Sequence, residues 1–473
     1  MFSTTQDSAE SAAVPAPQKP GLLINRNFAR LWAGQSLSAF GDMIFDTTLL
    51  VWVAVLTKGQ SWSPLAISGL LIAAAVPNLL VGPMAGVFVD RWDKRRTMLC
   101  MDAARALLVG GLVLATNVVP LPFLPQGRLP LSAQLGATFA VIFLASICAQ
   151  FFNPSRFALL GDIVEDEHRP RAIGLSQTTQ GIAGLIAPAA APPLYLIAGA
   201  QWALVLNALS FVASFFLILS LRLPETARTP PSEQPANFWR EFREGLSFAV
   251  GNRTISTLFL SLLIILFGVS VWNGLDILFA LQRLRVPLNL YGVLSASFGL
   301  GTMGGALLAG AYAKRIGLAR LFTLCFFIFS LLFVTYSRLT NFAFAFPVIF
   351  IAGVLFAGVN VSFGPLLLRV TPREILGRIS ALVSPIQALV SLLGTALAGY
   401  LAGTLLQGFH ASVLGFSFSP IDTIFTGGGL LALGGAVFAT LRLGFTDPAP
   451  VTASPSAASL PAHEPAQASR EEG

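Results

Sequence analysis

An all-α polytopic membrane protein, with twelve transmembrane helices in two pseudo-symmetric six-helix bundles, is the fold class this sequence predicts. Three observations carry the prediction. The chain of 473 residues is 55% hydrophobic and only 11% charged, with a mean hydropathy of +0.74, too apolar to clothe a soluble globule. Its apolar residues gather into runs long enough to cross a bilayer, for which roughly 20 residues are needed. Short patterns of the first half also recur in the second at nearly one offset.

Taken in order, residues 1–25 are rich in Ser, Ala, Pro and Gln and contain no basic stretch followed by an apolar one. They read as a cytoplasmic tail without a cleaved signal peptide. A first six-helix bundle is expected over 26–222, with spans near 28–57, 65–89, 97–119, 132–160, 172–200 and 201–221. The last two are divided only by Gly199-Ala200-Gln201. Over 223–250 the composition turns to Pro230-Pro231, Glu233, Arg240, Glu241, Arg243 and Glu244. That stretch is too polar for lipid and is expected to be a cytoplasmic linker ending in an amphipathic surface helix. Six further spans, near 254–281, 288–313, 318–336, 341–368, 378–406 and 421–441, build a second bundle over 251–445. The Ala-, Pro-, Ser- and Glu-rich tail at 446–473 is expected to be disordered and cytoplasmic.

Twelve crossings with both tails on one side require basic residues to collect in alternate loops. Arg26, Arg30, the cluster Arg91 to Arg96, Arg169, Arg171, Lys314, Arg315, Arg320, Arg369, Arg373 and Arg442 fall on the side expected to be cytoplasmic. Lys58, Arg128, Arg283, Arg285 and Arg338 fall on the other. The net charge of +7 is therefore read as membrane topology rather than nucleic-acid binding, because the cations are scattered between apolar runs instead of gathered on a face. A multi-pass membrane protein with both termini cytoplasmic is expected. Cys100, Cys148 and Cys325 lie in or at the edge of apolar runs, without metal or redox spacing.

The repeat is specific. Asn25-Arg26 recurs as Asn252-Arg253 and Phe40-Gly41 as Phe267-Gly268, while Gly86-x-x-x-Asp90-Arg91 is echoed by Gly310-x-x-x-Lys314-Arg315. Each match falls at the equivalent place in its half, which argues for two parallel copies of one unit. A doubled six-helix chain with Gly86-x-x-x-Asp90-Arg91-x-Asp93-Lys94-Arg95 between its second and third helices resembles the major facilitator superfamily. The departure is Asp93, where that family usually has glycine. The segments Asn25 to Gln35, Gly41-Asp42 and Phe152-Asn-Pro-Ser-Arg156 resemble the drug/proton antiporter branch that includes macrolide-efflux and enterobactin-exporter proteins. The resemblance covers about 25–445. It implies that Gly86, Asp90, Arg91, Lys94, Arg95 and Arg156, with Gly310, Lys314 and Arg315 in the second half, form an inner gate, Arg156 acting beside Asp162. The eleventh helix, expected to start near Gly377-Arg378, would offer its positive dipole end to Asp90.

No phosphate-cradling Gly-x4-Gly-Lys-Ser/Thr, no His-Glu-x-x-His and no Gly-x-Ser-x-Gly occurs. His168 and His410 fall in loops and His463 in the tail, so neither a catalytic site nor a metal or organic cofactor is expected. The spans do hold carboxylates. Asp42 and Asp46 sit four apart on one face of the first helix near mid-depth, where a charge costs about 2.5–3.5 kcal/mol on insertion scales. Either they exchange protons or bind a cation, or they are hydrogen-bonded to polar neighbours such as Ser36, Ser38 and Thr47. The corresponding second-half positions hold Val269 and Asn273, so the repeat does not demand the acids. Asn273 and Asp276 are further proton- or substrate-binding candidates, Asp276 being equally suited to a surface ion pair with Arg283. Asp102 and Arg105, three apart on the third helix, are expected to pair.

Gly181, Gly184 and Pro188 of the fifth helix resemble, with alanine before the proline, the Gly-Pro motif of drug/proton antiporters, and permit a kink and close packing. Gly301 and Gly305 make a small-residue face on the eighth helix. Phe40, Phe45, Phe267, Phe356 and Phe363 are expected to line an apolar central cavity. With few buried cations evident, the expected substrates are large hydrophobic or weakly cationic small molecules, driven by a proton gradient and exported by alternating access. A siderophore or lysolipid transporter of the same fold is one alternative; a polytopic membrane enzyme or a non-transporting receptor is another. The partners expected are substrate, protons and lipid, with the monomer as the working unit.

Overall fold

The structure, a computed structural model, describes residues 24–89, 91–115, 129–222, 238–413 and 416–444. Among them, twelve helices are long and apolar enough to cross a membrane.

The first half begins with α1 (Arg26–Leu56), whose N-terminus is set by Asn25: its side-chain oxygen accepts the Phe28 amide at 2.7 Å. The second span is broken into α2 (Ser63–Leu80) and α3 (Gly82–Val89). Pro83 explains the break, because it lacks an amide hydrogen and its ring crowds the carbonyl one turn back. α4 (Lys94–Ala115) starts three residues before the expected run. Asp93 is the reason: its Oδ1 accepts the Arg96 amide at 2.7 Å, so the residue that departs from the family pattern serves as a helix cap. The expected end of that span, near 119, lies outside the described residues. α5 (Leu131–Ile163), α6 (Arg169–Ala198) and α7 (Ala200–Leu219) complete the half. Gly199, at φ +81°, is the whole connection between α6 and α7, a conformation that glycine adopts without a Cβ clash.

α8 (Phe238–Gly251) is amphipathic and precedes α9 (Arg253–Leu278), capped by Asn252 through the amides of Thr254 and Ile255 at 3.0 and 3.1 Å. The Asn-Arg repeat is thus a repeated helix cap. α10 (Leu288–Ile316), α11 (Leu318–Arg338), α12 (Phe342–Val370), α13 (Arg373–Tyr400) and α14 (Pro420–Leu443) follow. α13 starts at Arg373 rather than near Gly377-Arg378, because Pro372 is already at the cap position. Gly377 and Arg378 therefore lie inside its first turns and not at its dipole end. A two-stranded antiparallel ribbon, β1 (Ala411–Val413) with β2 (Phe416–Phe418), joins α13 to α14 where only a loop was expected.

Packing repeats between the halves, α1 against α7 matching α9 against α14. Gly41 lies under Asn207 and Ser210 of α7, and Gly268 under Phe333 and Gly428, which accounts for the repeated Phe-Gly. On α10, Gly301 and Gly305 meet the backbone of Phe350 and Val354 in α12, the contact their spacing predicted.

The two halves meet along α6–α10 and α2–α13, and the meeting is one-sided. Near one membrane face a Cβ on Gly292 would fall on the Pro188 carbonyl, and one on Gly399 would fall on Ser68. Near the other face, which carries the N-terminus of α1, a Cβ on Gly86 or Gly310 would meet nothing within 4 Å, nor would one on Gly181 or Gly184 at mid-length of α6. A cleft of about 350 Å³ opens there, between Gly82, Pro83 and Gly86 on one side and Ser384, Pro385 and Ala388 on the other. Gly86 is accordingly not a helix-contact point in this conformation.

Candidate functional site

A cavity of about 280 Å³ lies among α1, α4, α5, α6 and α7, entirely within the first half. α1 supplies Gln35, Ser38, Asp42 and Asp46 to it, at the spacing of three and four that puts them on one stripe. Asp46 is exposed and Asp42 half-exposed, and both line the cavity, so the two carboxylates open into an internal space. Asn153 and Arg156 come from α5, Gln180 from α6 and Asn207 from α7.

Arg105 of α4 is the centre of the wall. Its guanidinium donates to Asp102 Oδ1 at 2.6 Å, with Asp102 fully buried. It is sandwiched between the Phe152 and Phe211 rings, 4.4 and 4.3 Å from their centroids. The same guanidinium stands 3.9 Å from Asp42 Oδ2. The expected Asp102–Arg105 pair is present and, beyond that expectation, ties α4 to α1. Of the proposed polar neighbours of the acids, only Ser38 reaches one, at 3.5 Å from Asp42. Ser36 and Thr47 donate instead to their own helix, to the carbonyls of Trp32 and Met43.

The remaining candidates are placed elsewhere. Asp276 is held by Trp272 Nε1 at 2.6 Å and by the hydroxyls of Tyr291 and Tyr336, each at 3.3 Å. Its suggested partner Arg283 pairs instead with Asp422, at 3.4 Å. Asn273 is exposed, and neither it nor Asp276 lines the acidic cavity. In the gate segment Asp90 lies outside the described residues. Lys94 bonds Asp162 at 2.9 Å, and Arg95 donates to the Ile218 carbonyl at 3.2 Å, fastening the start of α4 to the ends of α5 and α7. Arg91, Lys314 and Arg315 are exposed, the last two in the final turn of α10, where cations complement the helix dipole. Arg156 is not beside Asp162: it points into the cavity, with its guanidinium 4.8 Å over Phe157.

The expected phenylalanine lining is met only in part, with Phe152 and Phe211 joining Phe45 in the walls. Phe356 packs on Phe298 and Phe329, and Phe363 on Phe259, within the second half. The first-half cavity also has two arginines and four amide side chains in its walls. Sequence reasoning missed Gln35, Asn153, Gln180 and Asn207. Only the polar interruption of otherwise apolar helices could have found them, as it found the acids.

A polytopic all-helical protein whose two six-helix halves meet at one membrane face, with a polar cavity within, has the architecture of a membrane transporter. A model described as the Major Facilitator Superfamily matches residues 31–395, and the chain belongs to that family. Relatives include the MFS-type transporter YkuC of Bacillus subtilis (strain 168), 26% identical over 76% of this chain and 82% of that protein. Macrolide efflux protein A of Streptococcus pyogenes is 26% identical over 61% of this chain and 68% of its own length. Among solved structures, an inward-facing bacterial homologue of the iron transporter ferroportin superposes with a TM-score of 0.65 at 15% identity, covering 88% of this chain and 97% of that one. An inward-facing bacterial homologue of the lysosomal transporter Spinster gives 0.62 at 16% identity, covering 89% and 96%.

Proposed function

We propose that this transporter is a proton-coupled exporter of amphiphilic small molecules, working as a monomer in a bacterial plasma membrane. The observation that carries the reading is the pair Asp42 and Asp46 opening into an internal cavity. A carboxylate in a membrane interior is retained where it binds something, and a paired carboxylate can take up and release a proton. The excess of Arg and Lys assigns the face bearing the N-terminus of α1 to the cytoplasm. The two halves would then part on the cytoplasmic side. Rocking about the cavity would close that cleft and open the Gly292 and Gly399 seam. Proton entry at Asp42 or Asp46 from outside would displace a bound substrate, and proton release to the cytoplasm would reset the site. Macrolide efflux protein A among the relatives supports export of compounds with large apolar bodies.

The test is substrate-stimulated proton flux in proteoliposomes of the full-length chain, read with a trapped pH dye across a panel that includes macrolides. Flux that depends on both compound and protein is expected. Compound movement insensitive to an imposed pH gradient would overturn the proton coupling.

A further inference from the structure

The charges facing the cavity do not cancel. Arg105 is spoken for: Asp102 bonds it at 2.6 Å, two phenyl rings clamp it, and Asp42 stands at 3.9 Å. That leaves Asp46 and the outward side of Asp42 as one pole and Arg156 as the other. Among the described residues Arg156 has no acidic partner, only the Phe157 ring 4.8 Å away. Arg156 is half-buried, and a guanidinium partly withdrawn from water is held better when something answers its charge.

The poles are separated along the membrane normal. Arg156 lines the acidic cavity and also a smaller recess with Leu31, Trp32 and Gln35, so it lies level with the first third of α1. Asp42 and Asp46 follow Gln35 by seven and eleven residues on that helix, which at 1.5 Å per residue is about 10 and 16 Å deeper. Between them the wall is uncharged except for the neutralised Arg105, with Asn153, Gln180 and Asn207 as hydrogen-bonding surface. The site is dipolar: positive toward the face with the cleft and negative at its inner end.

Resting on the reading of this cavity as the transport site, we propose that the preferred substrates are zwitterionic amphiphiles, with an ammonium group at Asp42 and Asp46 and a carboxylate or phosphate at Arg156. A purely cationic compound leaves Arg156 unanswered, and a purely anionic one confronts two carboxylates. Arg156 is forked and planar, the geometry that accepts a carboxylate through two parallel hydrogen bonds. Protonation of the acids would weaken the hold on the ammonium end, so the charge pattern also supplies a route for protons to eject the substrate.

The experiment is equilibrium binding to the purified full-length protein in detergent at pH 7, with no gradient, read by tryptophan fluorescence. Three probes of one skeleton are compared: phenylalanyl-phenylalanine as the zwitterion, its methyl ester as the cation and its N-acetyl derivative as the anion. The zwitterion is expected to bind at least tenfold more tightly than either singly charged probe. Arg156→Gln should remove its advantage over the methyl ester by weakening zwitterion binding, with the methyl ester bound no more weakly than by the wild type, and Arg156→Lys should restore part of the advantage. A methyl ester that binds wild-type protein as tightly as the zwitterion overturns the proposal, as does an unchanged preference in Arg156→Gln or the absence of binding by all three. Because no proton movement is read, failure here leaves proton coupling at Asp42 and Asp46 standing. Failure of coupling likewise leaves the charge preference intact.

Discussion

Removing Asp102 should cost this protein more than removing any other single charge described here. Asp102 is fully buried and Arg105 only 5% exposed, and the guanidinium is fixed by the carboxylate at 2.6 Å between two phenyl rings. Asp102→Ala leaves that guanidinium in place with Asp42, 3.9 Å away, as its remaining counter-charge. Breaking a buried pair from one side costs about 3–5 kcal/mol. For a cooperative unit the size of one six-helix half, about 2–4 °C per kcal/mol converts this to a fall of at least about 6 °C in apparent melting temperature. The double change Asp102→Leu with Arg105→Met removes both charges and should recover at least half of that loss. Thermal unfolding followed by size-exclusion chromatography in one detergent at one scan rate reads both. A shift under about 2 °C for Asp102→Ala, or losses that simply add in the double variant, would refute the reasoning.

The seam and the cleft make a paired prediction. In a chain whose three native cysteines have been replaced by alanine, Leu65→Cys with Gly403→Cys should cross-link readily in resting membranes, and Gly82→Cys with Pro385→Cys should not; the reverse pattern would contradict the described conformation. Gly41→Val should destabilise the first half by about 1–3 kcal/mol, since a Cβ there lies 2.5 Å from Ser210 Oγ and 2.8 Å from Asn207 Oδ1; unchanged thermal stability counts against that packing. Asn25→Ala and Asn252→Ala should each cost about 1 kcal/mol through loss of an N-cap, measured as a small fall in melting temperature that Asp largely prevents at 252 but not at 25, where Asn25 Nδ2 also donates to the Ile163 carbonyl at 2.7 Å.

What could be read from sequence follows from which forces are local. Span positions were legible because each helix must satisfy its own backbone hydrogen bonds in lipid and cover them with apolar side chains, a requirement met within about 20 residues. Asn25 and Asn252 were visible as a repeat for the same reason, each capping only the turn beside it. Asp42 and Asp46 stood out because charge is rare in a span. The roles of Arg105 and Arg156 were not legible, because they are set by which helices lie opposite. Arg105 could be matched to Asp102 on its own helix but not to Asp42 on α1. Arg156 was drawn toward Asp162 by nearness in sequence, whereas the turn of α5 sends it into the cavity and leaves Asp162 to Lys94. The two readings left open for Asp276 have the same origin: Tyr336 is 60 residues away along the chain yet reaches Asp276.

The central claim, that Asp42 and Asp46 are where protons enter the transport cycle, is tested most directly by proton flux through the full-length protein carrying Asp42→Asn and Asp46→Asn. Reconstituted at equal density with a trapped pH dye, the wild type should show substrate-stimulated alkalinisation of an acid-loaded lumen, and the double variant should show none while still eluting as a folded, monodisperse species in detergent. Undiminished proton flux from the double variant would contradict the account.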